Sequence, residues 1–383
     1  MHLINPLPFP SLIFQGFDAQ QRLCEILVVR GTFHLSKDGL LKPAAEQSPL
    51  VETDEYFGEM HRSSLRQESD LVPFKPRCDV IVNGTGFAPE GKPTVSFTVG
   101  VEITAAPAEG EESGPLLLHK ELLITAPRRW EKNRLGQWRL SAPLASVTRL
   151  PLRYEAAYGG DCRIAADDPD GRRIKPEQRL TQEQRNAHPD GPDGAPLAQA
   201  ACESNPLGQG FAPPWYLQAK AVTTLTAPQI DDPRSPLTAF GQEAPPQGFG
   251  LIARTWQPRL RHAGTYAPDW FEERWPDLPE DFDPAFWNGA HPDLQMPYLS
   301  GEEHIRLTRL TPDGSLRFRL PGTLPPVQIV REDGGRGSEA LRLDTLIIEP
   351  DEDRVVIVWR AAIPTLPEIL QLETLMPEWA ENL

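Results

Sequence analysis

A chain of 383 residues can bury a large core, as one large domain or as two domains of average size. Its 42 prolines argue against a helical bundle, because an interior proline costs a helix about 3 kcal/mol, and its 39% hydrophobic residues argue against global disorder. The formal net charge of -16 argues against nucleic acid and against an anionic membrane surface as partners, since both would repel the chain.

The start of the chain shows no targeting signal. Residues 1–16 lack a basic beginning, and three prolines interrupt their apolar run. No stretch approaches the roughly 20 apolar residues that span a bilayer. The cysteines lie far apart without a CxxC pair, which favours reduced thiols over a disulfide framework or a zinc site; they are Cys24, Cys78, Cys162 and Cys202. We therefore expect a cytoplasmic protein without metal or cofactor.

The first half of the chain predicts β-strands. Residues 23–35 form an apolar run, and residues 94–104 alternate between apolar and polar side chains. This period of two buries one face of a strand and leaves the other in water. A second strand is predicted at residues 116–125, after the acidic loop 105–115. The two strands therefore predict a long hairpin with a flexible tip.

Residues 64–89 combine dense charge with rigid backbone. Prolines on both sides of Phe74 and Lys75 forbid a helix, and residues 79–83 predict a short buried strand. Residues 150–160 predict another strand, on which positions 153 and 155 share one face. These features favour an ion-pair network that fixes a chain crossing, although ordinary charges on a solvated loop remain the alternative. The candidate network comprises Arg66, Lys75, Arg77, Asp79, Arg153 and Glu155.

Two further segments have unusual composition. Residues 161–201 are rich in Asp, Pro, Gly, Arg and Gln, with a helical pattern only at residues 176–187. We interpret this segment as a flexible excursion within a single domain covering residues 1–383. Residues 245–295 are dense in tryptophans, acids and prolines, and predict an ordered, irregular wrap.

The wrap supplies the side chains that most often dominate protein interfaces. Tryptophan, tyrosine and arginine are concentrated there, although tryptophans of the core would give the same composition. The candidate partner-binding residues are Trp256, Arg259, Tyr266, Trp270 and Trp287.

The end of the chain returns to β-structure. Residues 315–320 alternate, and residues 341–349 and 354–360 predict a hairpin around residues 350–353. Residues 367–381 predict a final helix, with Leu370, Leu372 and Leu375 on its apolar side.

Few patterns point to catalysis. No two histidines lie four apart, and the chain has no GxSxG elbow, phosphate-binding loop or EF-hand. Asp281 and Asp283 lie near tryptophans, as the paired carboxylates of a carbohydrate-active enzyme would. An acidic surface loop has the same composition, and we regard that interpretation as the better one.

Several ordered motifs carry a resemblance that covers nearly the whole chain. They include ESDLVPFKPRCDVIVNG at residues 68–84, TRLPLRYEAAYGG at 148–160, NPLGQG at 205–210 and PDLQ at 292–295. In these motifs the chain resembles the bacterial domain-of-unknown-function family numbered 2169, which occurs in type VI secretion clusters. Val147 and Ala267 are small departures from the family pattern.

The resemblance implies an adaptor or chaperone that binds a toxic effector. It would help to load the effector onto the valine–glycine-repeat spike protein (VgrG), often through a PAAR-type tip, and it carries over no catalytic residues. An acidic adaptor suits a basic effector such as a nuclease domain. The alternatives are a carbohydrate-active enzyme and a structural subunit of the secretion machinery. The expected fold is mainly β, with packed antiparallel sheets in a sandwich-like arrangement, long Pro/Gly-rich irregular wraps and a few short helices.

Overall fold

The computed structural model describes residues 2–18, 20–111, 113–275, 277–365 and 369–380. The first strands are β1 (His2–Ile4), β2 (Ser11–Phe17), β3 (Leu23–Leu35), β4 (Leu41–Pro43), β5 (Glu55–Tyr56), β6 (Leu65–Gln67), β7 (Cys78–Val82), β8 (Thr85–Phe87), β9 (Ser96–Thr104), β10 (Leu116–Thr125), β11 (Arg129–Lys132), β12 (Trp138–Leu140) and β13 (Arg149–Pro151). The later strands are β14 (Tyr158–Gly159), β15 (Asp161–Ile164), β16 (Ala198–Ala201), β17 (Gln209–Gly210), β18 (Thr224–Thr226), β19 (Ile230–Asp231), β20 (Gln295–Met296), β21 (His304–Thr308), β22 (Ser315–Arg319), β23 (Val327–Arg331), β24 (Arg336–Glu339), β25 (Arg342–Glu349), β26 (Arg354–Pro364) and β27 (Ile369–Glu373).

The helices are short. The α-helices are α1 (Gln182–Asn186), α2 (Gly191–Gly194), α3 (Pro214–Ala219) and α4 (Pro268–Glu273), and single turns of 3₁₀ helix occur in the connections. Within the described ranges, no helix combines the length and the apolar character needed to cross a membrane. The expectation of a mainly β fold with a few short helices is confirmed.

One large sheet, called here the central sheet, runs in the order β2-β3-β26-β25-β7-β20, with β4 beside the end of β3. Its pairs are antiparallel except for β25 and β7, which run parallel. Strand β3 is apolar along most of its length and buried on both faces, because the sheet is covered on both sides. The expected hairpin between residues 341–349 and 354–360 is the pair β25 and β26.

A second sheet runs β19-β10-β9-β21-β22 and is antiparallel throughout. Strands β9 and β10 form the expected hairpin, and the alternation in β9 places Val99, Val101 and Ile103 inside. These side chains join Val80 and Ile81 of β7 in one continuous hydrophobic core. The central and second sheets are therefore packed around the same apolar interior.

The expected final helix is wrong. Residues 369–373 form strand β27, which pairs in parallel with β1 and antiparallel with β23. Leu372 is fully buried while Leu370 is 49% exposed, so the two do not share an apolar helix face. Neighbouring strands supply the backbone hydrogen bonds here, and this pairing overrides the local helical pattern. Residues 367, 368 and 381 of the expected helix lie outside the described residues.

The strand expected at residues 150–160 is also shorter than predicted. It ends at Pro151, and a 3₁₀ turn covers Tyr154–Ala156. The ring of Tyr154 is buried against Gly248, where even a Cβ atom would come within 2.8 Å of the ring. Positions 153 and 155 therefore do not share the face of a strand.

The excursion at residues 161–201 is closed on itself. Its first and last strands, β15 and β16, pair antiparallel. Four buried residues form a small core of its own with α3, namely Ile164, Ile174, Ala198 and Ala219. The predicted helical stretch consists of a 3₁₀ turn at Pro176–Gln178 and the helix α1.

Limited proteolysis tests how these connections behave in solution. We expect the first cuts within residues 161–201 or in the loop 105–115, because residues 182–194 and 107–113 are mostly exposed where the structure describes them. Fragments cut in the excursion should stay associated, since β15 and β16 hold its ends together. First cuts within residues 245–295, identified by mass spectrometry, would contradict this expectation.

Candidate partner-binding site

Charged residues of the segment 64–79 reach partners that lie far away in the chain. Glu68 receives two hydrogen bonds from the guanidinium of Arg259, the longer one being 3.0 Å. Asp70 receives two from Arg30, at 3.0 and 3.2 Å. All four side chains are buried. These pairs hold the segment against β3 on one side and against the wrap at residues 245–295 on the other.

Asp79 is the most completely buried acid of the segment. Its carboxylate lies 2.7 Å from the ammonium of Lys75 and accepts a 2.9 Å hydrogen bond from the side chain of Asn288. The backbone N–H groups of Gly289 and Ala290 donate to it at 2.9 and 3.2 Å. Burial opposes the charge of Lys75, but the negative charges of Asp79, Asp344 and Glu68 together outweigh it, so the pKa of Lys75 is raised and the lysine stays charged.

The other four members of the candidate network behave differently. Arg66 contacts Glu349 at 3.2 Å and also pairs with Glu352, at a half-buried position. Arg77 is exposed and donates to the carbonyl oxygen of Gln295 at 2.7 Å, and no acid among the described residues pairs with it. Arg77 therefore lies outside the network.

Arg153 and Glu155 do not form an ion pair with each other in the described structure. The guanidinium of Arg153 lies 3.1 Å from the ring centroid of Phe57, and its burial lowers its pKa. Glu155 accepts hydrogen bonds from the backbone N–H of Ser64, at 2.8 Å, and from its hydroxyl. Both residues fix the same chain crossing, although with other partners than the sequence predicts.

Four aromatic side chains form a surface cluster around α4, called here the aromatic surface. It consists of Tyr266, Trp270, Phe271 and Trp275. Tyr266 is 54% exposed, Phe271 67% and Trp275 63%. Trp270 lies between them, with its ring centroid 4.7 Å from that of Tyr266 and 5.8 Å from that of Trp275. Large apolar side chains seldom gather in water unless another molecule covers them.

A closed loop presents this surface. The side chain of His262 lies 2.7 Å from the carboxylate of Asp283, and the backbone N–H of Asp283 donates to the carbonyl of His262 at 3.0 Å. Closer to the middle of the loop, the carboxylate of Asp281 accepts hydrogen bonds from the backbone N–H and the hydroxyl of Thr265 at 2.8 and 2.7 Å. Gly264 has a φ of +77°, and a Cβ there would lie 2.9 Å from Pro279. The loop is thus pinned at its neck and offers its aromatic side chains as a preformed group.

Asp281 and Asp283 are therefore engaged in holding the loop. The hydrogen bond from the Thr265 backbone lowers the pKa of Asp281, and the one from the Ala285 backbone lowers that of Asp283. A glycosidase acid needs a raised pKa so that it still carries a proton near neutral pH. Neither carboxyl meets this requirement, so the geometry lends no support to the carbohydrate-active alternative.

The structure places the five candidate partner-binding residues in three different settings. Tyr266 and Trp270 belong to the aromatic surface. Trp256 packs edge-on against Tyr154 in the core, 8% exposed, and Arg259 is buried with Glu68. Trp287 is half-buried and packs against Phe282 and Phe286 with ring centroids 5.6 and 5.4 Å away. In this fold, Trp256 and Arg259 are not accessible to a partner.

Phe271 and Trp275 also belong to the aromatic surface, although they are not among the candidates expected from the sequence. The signal is present in the sequence, where the two aromatic residues lie four positions apart and acids surround them. Residues four apart share one face where the chain is helical, although α4 ends at Glu273, two residues before Trp275. The short length of α4 hid this pattern among the surrounding prolines.

Among the described residues, no group of three or more His, Cys, Asp or Glu side chains is placed to hold a metal ion. Cys24, Cys78 and Cys162 are buried, and burial raises the pKa of each thiol. Cys202 is half-buried and free. None of the four forms a disulfide.

Comparison with known proteins identifies the family. Residues 20–360 match the model of the family described as "Uncharacterized protein conserved in bacteria (DUF2169)". The chain belongs to this family. The resemblance seen in the sequence is thereby confirmed at the level of the family. Neither the curated proteins nor the solved structures contain a match to the chain.

The matched span of this DUF2169 protein contains the aromatic surface and every buried ion pair described above. Strand β2 precedes the matched span, and β27 follows it.

Beneath the second sheet, the DUF2169 protein buries a histidine beside a lysine. His291 begins a 3₁₀ turn, and its Nδ1 accepts from the backbone N–H of Asp293 at 3.2 Å. The ammonium of Lys120 donates to the carboxylate of Asp293 at 2.9 Å. Burial and the charge of Lys120 lower the pKa of His291 to about 4. The imidazole is therefore neutral throughout the physiological range.

Replacing Asp79 tests the buried ion pairs of this DUF2169 protein. Asp79→Ala removes the counter-charge of a buried ammonium and the acceptor shared by three hydrogen-bond donors, so the free energy of unfolding should fall by about 3–5 kcal/mol. Arg77→Ala is the matched control, because Arg77 lies two residues away and is exposed; its effect should stay below about 1 kcal/mol. Chemical denaturation measures both values. Small, equal losses would show that the Lys75–Asp79 pair is solvated.

His291 gives the stability of this DUF2169 protein a specific pH dependence. Its pKa is about 4 when folded and about 6.5 when unfolded, so the unfolded chain takes up a proton first as the pH falls. The contribution of His291 to stability is therefore intact near neutral pH and is lost progressively as the pH falls from about 6.5 towards about 4. Between pH 7 and pH 5 the loss should be about 2 kcal/mol.

The matched variant is His291→Asn, which keeps an acceptor at the start of the 3₁₀ turn but does not titrate. Denaturant unfolding at several pH values should give a flatter profile for the variant than for the natural protein. Identical profiles would show that His291 is protonated in both states or in neither.

Proposed function

We propose that this protein is a non-catalytic adaptor that binds a toxic effector and helps to load it onto the type VI secretion spike, VgrG with its PAAR-type tip. The observation that carries the proposal is the aromatic surface. A chain whose main exposed feature is a fixed group of aromatic side chains is suited to holding another protein. The resemblance to a family found in type VI secretion clusters supplies the biological context.

The geometry of the aromatic surface suits a binding site in three ways. Its side chains are those that contribute most at interfaces, where one well-placed anchor is worth about 2 kcal/mol or more. Trp270 is already fixed, since its indole N–H donates to the carbonyl of Asp277 at 3.0 Å. The pinned neck of the loop removes part of the ordering cost that a flexible loop would incur on binding.

The charges around the aromatic surface favour a basic partner. Exposed acids on and beside α4 outnumber bases in this region; they are Asp269, Glu272, Glu273, Asp277 and Glu280. Arg274 pairs with Glu280 at 3.0 Å, so one base of the loop is already neutralised. The chain as a whole is also acidic, with a net charge of -16. Electrostatic attraction would therefore raise the association rate of a basic effector such as a nuclease domain.

A test of the proposal combines Phe271→Ala with Trp275→Ala. Both side chains are mostly exposed, so the melting temperature should change little, whereas the dissociation constant for the effector encoded beside the gene should rise about tenfold or more. Leu135→Ala is the control, because Leu135 is 84% exposed and belongs to a different connection, the turn between β11 and β12. Calorimetric titration with the purified effector measures the affinity.

Two further outcomes bear on the proposal. Deleting the gene should lower the abundance and secretion of the effector, and unchanged abundance and secretion would remove the adaptor role. Binding should weaken as the salt concentration rises, since charges farther apart than about 8–10 Å are screened. An affinity that does not change with salt concentration would contradict only the expected electrostatic contribution to binding. The carbohydrate-active alternative would instead be favoured if the purified protein hydrolysed a glycan and the double variant Asp281→Asn with Asp283→Asn did not.

A further inference from the structure

Strand β2 forms one edge of the central sheet and carries no charge. Its sequence is SLIFQGF, without a lysine, arginine, acid or proline. It pairs with β3 along all seven residues, and no other described strand lies beside it. A long, uncharged edge strand is a template for pairing with another chain.

The backbone groups that point outward can be assigned from one hydrogen bond. The N–H of Arg30 donates to the carbonyl of Pro10 at 2.9 Å, so position 10 faces β3. Residues along an antiparallel strand alternate between facing the neighbour and facing away. Positions 12, 14 and 16 therefore face β3 as well. The outward positions are Ser11, Ile13, Gln15 and Phe17, and no described group hydrogen-bonds to their backbone.

The other edges of the two main sheets are protected. Strands β20 and β19 are only two residues long. Strand β22 places the exposed Arg317 and Arg319 on its edge, and the open part of β10 carries charged residues beside the 3₁₀ turn at Pro292–Leu294. Short length, charge and cover are the usual means by which proteins keep edges from pairing. Strand β2 has none of them.

We propose that β2 pairs antiparallel with β2 of a second copy of this chain. The outward N–H and C=O groups of one strand must lie opposite the outward groups of the other. A two-fold axis beside Phe14 gives this arrangement along the whole strand. Ser11 then faces Phe17 of the other copy, Ile13 faces Gln15, and the two Phe14 rings become neighbours. Each outward pair exchanges two backbone hydrogen bonds. The two central sheets become one continuous sheet across the axis.

A second copy fits this edge better than a charged segment does. No position of β2 places like charges opposite each other in this register, and the facing Phe14 rings form an aromatic cross-strand pair. The opposing force is the repulsion between two chains of net charge -16. That repulsion acts over a distance and is screened beyond about 8 Å at physiological ionic strength. Salt should therefore strengthen the dimer, the reverse of its expected effect on a basic effector.

Analytical ultracentrifugation of the full chain tests the proposal. Gln15→Pro removes an outward N–H that β3 does not use, and edge strands accept proline at such positions. Gln15→Ala is the control, since it loses the same side-chain hydrogen bond to Glu25 but keeps the N–H. We expect the natural protein and Gln15→Ala to dimerise alike, with a dissociation constant that falls as salt rises. For Gln15→Pro it should be roughly tenfold higher or more.

Backbone amide exchange of the natural protein decides the matter even if Gln15→Pro fails to fold. The outward amides at positions 13 and 15 should exchange more slowly as the protein concentration rises, while the exposed amides of the loop 105–115 should not change. The proposal would be overturned by a protein that stays monomeric at all concentrations, by dimers that Gln15→Pro leaves intact, or by outward amides that are protected only when a different protein is bound. This inference does not depend on the identity of the effector.

Discussion

A fully buried carboxylate must find several hydrogen-bond donors at once, and Asp79 finds them in two separate parts of the chain. Lys75 supplies a charge from the same segment, and residues 288–290 supply a side chain and two backbone N–H groups. Lys75 also donates to Thr345 on β25 at 2.9 Å. Because an unpaired charge in this interior is costly, strand β7, the wrap and β25 must come together in one arrangement. The position of β7 in the central sheet depends on this requirement.

A second buried ion pair, between Arg259 and Glu68, helps to position the exposed loop that carries the aromatic surface. Arg259 is fixed in the interior by Glu68 and by the carbonyl of Phe286, to which it donates at 2.7 Å. The 3₁₀ turn that contains Arg259 ends at His262, which together with Asp283 forms the neck of the loop that carries the aromatic surface. A buried ion pair thus sets where an exposed loop begins. The aromatic surface is exposed to solvent, but the 3₁₀ turn from which its loop starts is anchored in the interior.

Much of this fold follows from local pattern. The strict alternation at Val99 and Val101 and the apolar run in β3 each have a physical reason that acts within a few residues. The final strand could not be found in this way, because Leu372 is held by pairing with strands from distant parts of the chain. Likewise, the sequence pointed to an ion pair at Arg153, but the aromatic partner Phe57 lies almost a hundred residues earlier. Which charges meet is decided by topology, which spacing alone does not reveal.

The candidate site was predictable in its composition but not in its exposure. Tryptophans of the wrap look alike in the sequence, yet Trp256 faces the interior and Trp275 faces water. What separates them is the closed neck of the loop, which depends on Thr265 meeting Asp281 sixteen positions later.

The order of strands in the central sheet also governs when the protein can fold during its synthesis. Strand β3 leaves the ribosome long before its inner neighbour β26 is made, because the two strands lie far apart in the sequence. The guanidinium of Arg360, on β26, reaches back to the carbonyl of Asp70, 290 residues earlier. The whole stretch from β3 to β26 must therefore leave the ribosome before the central sheet can close, and until then β2 and β3 are open to chaperones and to misassembly. The time needed to translate this stretch sets the earliest moment at which the central sheet can form.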